Sequence, residues 1–260
     1  MVSFVGAGPG AEDLITLKGH RLLQTADVVI YAGSLVNKDL LKACKEGCAI
    51  HNSARMTLEQ VLEVIAAAEK DGKNVVRLHT GDPSLYGAVR EQMDALNTLH
   101  ISYEDVPGVS SFCGAAAALN IEYTLPDVSQ SVVITRLEGK TSVSTSESIE
   151  SFAAHKCTMV IFLSAGMVDR VQEKLCAGGY AKDTPAAIVY KASWSDEKKI
   201  LCTVGTLCEA ARQNGITKTA LIIVGNILSQ VHVDECMYSR SKLYDPTFTT
   251  GWREGVSGES

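Results

Sequence analysis

Along the first half of the chain, short apolar runs alternate with longer stretches in which apolar residues recur every three or four positions. This is the rhythm of strands and amphipathic helices in an α/β domain with a largely parallel sheet. The runs predict strands at 3–5, 27–31, 74–79 and 102–106. The plainest helix follows Thr57, where Leu58, Val61, Leu62 and Ile65 share one face and Gln60 stands at the capping-box position. Around 120–129 the pattern breaks near Pro126, and a strand at 131–135 opens a second α/β unit. Further strands are expected at 158–163, 186–190, 200–204 and 220–224, with helices near 146–155, 166–178 and 205–214. The polar, Ser/Thr-rich segment 138–148 reads as a loop, either plain surface or a lid.

A chain of 260 residues is near the size at which one core divides into two. The breaks in pattern place domains at 1–119 and 120–245, with a tail at 246–260. Tyr244, Phe248 and Trp252 stand in an otherwise polar C-terminal stretch, which is therefore expected to dock somewhere. Hydrophobic residues at 46% and charged residues at 21% are ordinary for a globular protein. There is no basic leader before a long apolar run and no apolar stretch near 20 residues, so a soluble, cytoplasmic protein is expected. The eight cysteines include no CxxC pair. They are expected to be buried free thiols and not metal ligands. A net charge of −6 speaks against a nucleic-acid partner.

Candidate chemistry lies in the turns. Gly6-Ala7-Gly8-Pro9-Gly10-Ala11 follows the first strand and satisfies the spacing of a dinucleotide fingerprint. Pro9 interrupts that turn, however, and the second strand ends Tyr31-Ala32-Gly33-Ser34 with no carboxylate for a ribose. A ligand cradle and a plain glycine turn both remain open. Thr80 to Gly87 follows another strand and is expected to open a helix, with Asp82 as N-cap and Pro83 in the first helical position. Capping alone would explain both residues, yet strand carboxyl ends are also where open α/β sheets bind ligands. Pro107-Gly108-Val109-Ser110-Ser111 repeats the situation one strand later. Arg77 and His79 alternate just before the second turn, as a buried pair or as substrate contacts.

Together these segments resemble the tetrapyrrole methylase family of S-adenosylmethionine-dependent enzymes. The resemblance is carried by GAGPGAEDLITLKG, TGDPSLYG, VPGVSS, IFLSAG and IVYKASW and covers nearly the whole chain. YAGSLV, SQSVVITRLEGKT and SKLYDPTFTTGWREG resemble the branch that methylates carbon 11 of a corrin precursor. The resemblance implies two αβα domains of the class III methyltransferase kind, with the donor in a cleft between them, a tetrapyrrole substrate and a homodimer. It places donor contacts at Pro9, Thr80, Gly81, Asp82, Leu85, Ser110, Ser111, Leu163 and Ala192, the last two in the second domain. No metal and no catalytic acid or base is expected, Asp82 being the best candidate for a cleft role. A ring bearing many carboxylates calls for basic residues, with Arg55, Arg136, Lys140, Arg240 and Lys242 as candidates. The rival readings are methylation at another ring position, a nicotinamide-dependent oxidoreductase, and a methylase of RNA or protein.

Overall fold

The computed structural model describes residues 1–231, 238–239 and 241–256. The chain divides into two compact units, one made of Met1–Ala118 and Lys191–Lys198 and the other of Leu119–Tyr190 and the chain from Lys199 onward. A contiguous division does not foresee the return of 191–198 to the first unit.

The first unit is built on five strands, β1 (Val2–Gly6), β2 (Val28–Tyr31), β3 (Ala49–Asn52), β4 (Val75–His79) and β5 (Tyr103–Val106). Their order is β3-β2-β4-β1-β5, and every pair is parallel. Four helices accompany them: α1 (Leu17–Thr25), α2 (Leu58–Lys70), α3 (Arg90–Thr98) and α4 (Ser111–Leu119). Both faces of the sheet are covered. Val5, Leu23, Val29 and Leu78 pack in one cluster, while Phe4, Ile30, Ile65 and Leu96 pack in another. Burial on both faces makes β2 a continuous apolar run and leaves Ser3 as the one polar residue of β1, while Arg77 and His79, which alternate along β4, are themselves buried. The capping box of α2 is formed: Gln60 N–H donates to Thr57 Oγ1 at 3.4 Å, and Thr57 N–H donates to Gln60 Oε1 at 3.0 Å. Strand β3 has no counterpart in the apolar pattern because it is a half-exposed edge strand of sequence AIHN.

The second unit holds β6 (Val132–Arg136), β7 (Thr158–Phe162), β8 (Pro185–Tyr190), β9 (Lys198–Thr203) and β10 (Ala220–Val224), in the order β6-β7-β10-β8-β9. Here β6 runs parallel to β7, and β10 is antiparallel to both β7 and β8. Helices α5 (Ile149–Ala153), α6 (Val168–Ala177) and α7 (Leu207–Gln213) cover a core of Ile149, Met159, Ile161, Leu175, Ile188 and Ile222.

Two expectations are corrected. The described cysteines are free but none is buried: Cys113 is exposed, and Cys44, Cys48, Cys157, Cys176, Cys202 and Cys208 are only partly covered. Cys44 and Cys48, like Cys176 and Cys202, flank a core cluster without filling it. Cys236 lies outside the described residues. The aromatics of the tail do not bury themselves, Tyr244 being 71% and Trp252 100% exposed. Local bonds satisfy the tail instead, with the Arg253 guanidinium donating to the Asp245 and Phe248 carbonyls. No helix of the described residues is long and apolar enough to cross a membrane.

Candidate functional site

The order of the first sheet dictates where a ligand can sit. The connection from β1 leads to β2 on one side, while the connection from β4 passes to β5 on the other, so chain direction reverses around β1. In open parallel sheets the crevice at such a reversal, outside the strand carboxyl ends, is where ligands bind. The turns after β1, β4 and β5 meet there.

They meet through glycine. Ala7 N–H donates to the His79 carbonyl at 2.7 Å, and Gly8 and Gly81 exchange backbone hydrogen bonds of 3.2 and 2.9 Å. Gly8 (φ +80°) and Gly81 (φ +60°) occupy left-handed conformations that favour glycine. A Cβ on Gly108 would stand 2.2 Å from the Gly81 carbonyl oxygen and 2.7 Å from Gly6 Cα, so three backbones approach with no room for side chains. Asp82 fastens the same junction. Its Oδ2 accepts from Gly108 N–H at 2.8 Å, and its Oδ1 accepts from Ser84 N–H at 2.9 Å and from the Ser84 hydroxyl. Partial burial opposes ionisation of Asp82, but the bonds from Ser84 and Gly108 outweigh it and hold the carboxyl below its ordinary value of 3.8. Burial, with the Asp82 charge nearby, raises the neighbouring Asp105.

Asp82 therefore caps a turn, which corrects the expected helix. Helix α3 does not begin until Arg90. Tyr86 (φ +56°) and Ala88 (φ +50°) take left-handed conformations that no α-helix continues through. A buried network holds this strained segment. The guanidinium of Arg77, 6% exposed, donates to the Ile30 carbonyl at 3.0 Å and to Gln92 Oε1 at 2.9 Å, while Gln92 Nε2 donates to the Ala88 carbonyl at 2.9 Å. Desolvation lowers Arg77 to about 10. His79, beside Phe4, is depressed to about 3 by burial and then by the Arg77 charge, and its Nε2 has no hydrogen-bond partner. Arg77 and His79 are thus a buried pair beneath the turn.

The glycine turn after β1 does not open a helix. A single turn at Glu12–Leu14 intervenes, and α1 starts at Leu17, its N-terminus capped by Thr16, whose Oγ1 accepts from Gly19 N–H at 3.1 Å. The helix N-terminus that a dinucleotide pyrophosphate requires is therefore not offered at this turn. The segment 191–198 sits here instead: Trp194 Nε1 donates to the Pro9 carbonyl at 3.0 Å, and Ala11 N–H donates to Ser193 Oγ at 3.0 Å. Asn37 Nδ2 also donates to the Gly10 carbonyl at 2.9 Å.

Of the nine residues expected at the donor, eight lie in the first unit: Pro9, Thr80, Gly81, Asp82, Leu85, Ser110, Ser111 and Ala192. Ala192 was expected in the second domain. It belongs to the first because Ser193 and Trp194 anchor its loop to the turn at 9–11, and a Cβ on Gly114 would approach both Pro9 (2.8 Å) and Ala192 (3.5 Å). Leu163 closes β7 in the second unit, with φ +53° and 62% exposure. Among the basic candidates, Arg55 is exposed just past the carboxyl end of β3, at the same sheet end as the three turns. Arg136 binds the backbone of its own loop, donating to the carbonyls of Leu137, Thr141 and Ser142 at 3.0–3.3 Å. Lys140 is exposed, Lys242 lies 5.9 Å from the Phe248 ring centroid, and Arg240 is outside the described residues. No group of three or more metal-ligating side chains occurs among the described residues. Sequence reasoning did not assign roles to Gly108, Gln92, Ser193 or Trp194. Only the sequence KASWSDEK, a tryptophan in a polar loop, offered a signal for the last two.

Comparison with known proteins matches residues 1–208 to the family model described as Tetrapyrrole (Corrin/Porphyrin) Methylases. The cobalt-precorrin-4 C(11)-methyltransferase of Methanocaldococcus jannaschii is 49% identical over 97% of this chain and 96% of its own length. The precorrin-4 C(11)-methyltransferase of Mycobacterium tuberculosis is 43% identical over 92% of this chain and 96% of its own. Among solved structures, a cobalt precorrin-4 methyltransferase of cobalamin biosynthesis superposes with a TM-score of 0.85 at 46% identity, covering 87% of this chain and 95% of that one. The uroporphyrin-III C-methyltransferase of Thermus thermophilus, complexed with S-adenosylhomocysteine, gives a TM-score of 0.75 at 25% identity, covering 90% and 95%.

Proposed function

The chain belongs to the tetrapyrrole (corrin/porphyrin) methylase family, and from that premise we propose that it is an S-adenosylmethionine-dependent C-methyltransferase acting on carbon 11 of cobalt-precorrin-4 or precorrin-4 in cobalamin biosynthesis. The observation that carries the reading to this chain's own residues is the junction of three glycine turns at the carboxyl ends of β1, β4 and β5. It is a cradle of backbone and small side chains, with Gly81 packed beside Ser110 and Ser111. Such a surface suits a donor that needs close approach and orientation more than acid or base chemistry.

When bound, the donor supplies an electrophilic methyl group on a sulfonium whose departure leaves a neutral thioether. The ring carbon provides the electron pair for the new bond, and the ring then gives up one proton to solvent. The residues of the chain have to align these partners. Pro9, Thr80, Gly81, Asp82, Leu85, Ser110, Ser111 and Ala192 would hold the donor at the strand ends of the first unit, and Leu163 remains a candidate donor contact. The ionised Asp82 keeps the turns after β4 and β5 in one arrangement, so the site is shaped before the donor arrives. Arg55, Arg136, Lys140, Arg240 and Lys242 remain the candidates for the acetate and propionate groups of the ring; the backbone bonds of Arg136 make it the weakest of them. A cytoplasmic homodimer without a protein-bound metal completes the reading, with sedimentation equilibrium as the test of the dimer.

The test of the reaction is incubation with methyl-¹³C donor and either cobalt-precorrin-4 or its metal-free form, followed by NMR of the product. Label on carbon 11 is the expected result, and the faster substrate identifies the physiological ring. Label on another carbon moves the assignment within the family. NAD(P) binding in place of S-adenosylhomocysteine binding would overturn it.

A further inference from the structure

Residues 191–197 join β8 to β9 in a loop without glycine, although Lys191 (φ +47°) and Ser193 (φ +68°) both lie in the left-handed region. Such backbone persists only where its surroundings over-determine it. Here they do. Lys191 Nζ pairs with Asp196 at 2.6 Å and stands 5.2 Å from the Trp194 ring centroid, and Ser193 N–H donates to Glu197 Oε2 at 2.6 Å. The loop is cross-linked by its own side chains into a rigid clasp.

What the clasp grips is the turn after β1. Ser193 Oγ takes the Ala11 N–H and Trp194 Nε1 serves the Pro9 carbonyl, so one polar group on each side of Gly10 has its partner in the clasp. The indole lies directly on Gly10: a Cβ there would come within 2.1 Å of Trp194 Cδ1. Neither hydrogen bond holds up the sheet, whose own ladder is complete without them. We propose that Ser193 and Trp194 are positioning residues for the methyl donor, fixing the 9–11 turn in the single shape that donor binding needs. This inference rests on the functional reading above. It adds to that reading two side chains that touch the turn and not the reacting atoms.

Three variants test it: Trp194→Phe, which keeps an aromatic ring but loses the N–H; Ser193→Ala, which loses the hydroxyl; and Ser193→Gly, which loses the hydroxyl while relieving the positive φ. Calorimetric titration with S-adenosylhomocysteine should show affinity weakened by roughly fivefold in each, the equivalent of one net hydrogen bond. KM for the donor should rise by a similar factor, with KM for the tetrapyrrole and kcat at saturating donor unchanged. Ser193→Gly separates positioning from stability, because it should lose affinity while melting no lower than Ser193→Ala. Wild-type affinity in all three variants would overturn the inference and leave the functional reading intact. A parallel rise in both KM values that tracks a fall in Tm would also overturn it, since that is the mark of a merely structural loop. A wild-type protein that binds no S-adenosylhomocysteine would overturn the functional reading and this inference together.

Discussion

Gly108→Ala is the sharpest perturbation of the three-turn junction because Gly108 has no positive φ to confuse the outcome. Its cost is steric alone. The new Cβ would lie 2.2 Å from the Gly81 carbonyl oxygen, 2.7 Å from Gly6 Cα and 2.9 Å from the Gly6 carbonyl carbon. All three are backbone atoms, those of Gly6 held in the parallel ladder of β1 with β4 and that of Gly81 in an antiparallel bridge to Gly8, so relief requires the strand ends of β1, β4 and β5 to separate. Overpacking of this kind costs about 1–3 kcal/mol where side chains can adjust, and backbone neighbours put this case near or above the upper end. At about 2–4 °C per kcal/mol for a chain near this size, Tm should fall by roughly 6–12 °C. Separation of the turns should also weaken S-adenosylhomocysteine by about tenfold or more, a loss of about 1.4 kcal/mol. Gly72→Ala is the control: φ is +68° there but nothing lies within 4 Å of the added Cβ. It should cost about 1 kcal/mol of backbone strain and leave donor affinity untouched. Thermal melts and calorimetry on both variants decide the matter. If Gly108→Ala melts and binds like wild type, the close approach of the three turns is refuted.

Asp82→Ala removes the acceptor for two amides and a hydroxyl, and should cost about 2 kcal/mol in a denaturant melt with a clear loss of donor affinity; a cost of about 1 kcal/mol with unchanged turnover would mean that Asp82 only caps its turn. The depressed folded pKa of Asp82 adds stability that is present above its ordinary value of 3.8 and is lost as pH falls through the lower folded value. His79, lowered from 6.5 to about 3, is neutral in the fold at a pH where the unfolded chain binds a proton. Its contribution is present above pH 6.5 and declines as pH falls from there towards about 3, so His79→Leu should flatten Tm against pH between 6.5 and 4. An unaltered slope would refute the burial of a neutral imidazole. Thr57→Ala, breaking the capping box of α2, should lower stability by about 1 kcal/mol without affecting donor binding, as chemical denaturation and calorimetry would show.

Much of this architecture was legible because burial on both faces of the first sheet writes β1, β2 and the start of β4 as short apolar runs that end at glycine or a polar turn. The edge strand β3 was not, since a half-exposed AIHN carries neither an apolar run nor an alternation. The three turns were individually visible, but their meeting was not, because it depends on the strand order placing β1 between β4 and β5. Asp82-Pro83 misled for a physical reason: the same pair suits a helix start and a tight turn, and the choice was made downstream by the left-handed Tyr86 and Ala88. Ala192 and its neighbours were misplaced because nothing local in KASWSDEK shows that its bonds reach Pro9 and Ala11, more than 180 residues earlier. The cysteines were read by average behaviour, whereas Cys113 is exposed and Cys44, Cys48, Cys176 and Cys202 line the margins of the cores.

The central claim is that the methyl donor is held at the strand ends of the first unit. A crystal structure with S-adenosylhomocysteine bound tests it most directly. The account predicts the ligand against Gly81 and the turns at Pro9 and at Ser110 and Ser111, with Ala192 beside it and the clasp of Ser193 and Trp194 still closed on the turn. Ligand density on the opposite, amino-terminal edge of the sheet, or on the second unit alone, would contradict it.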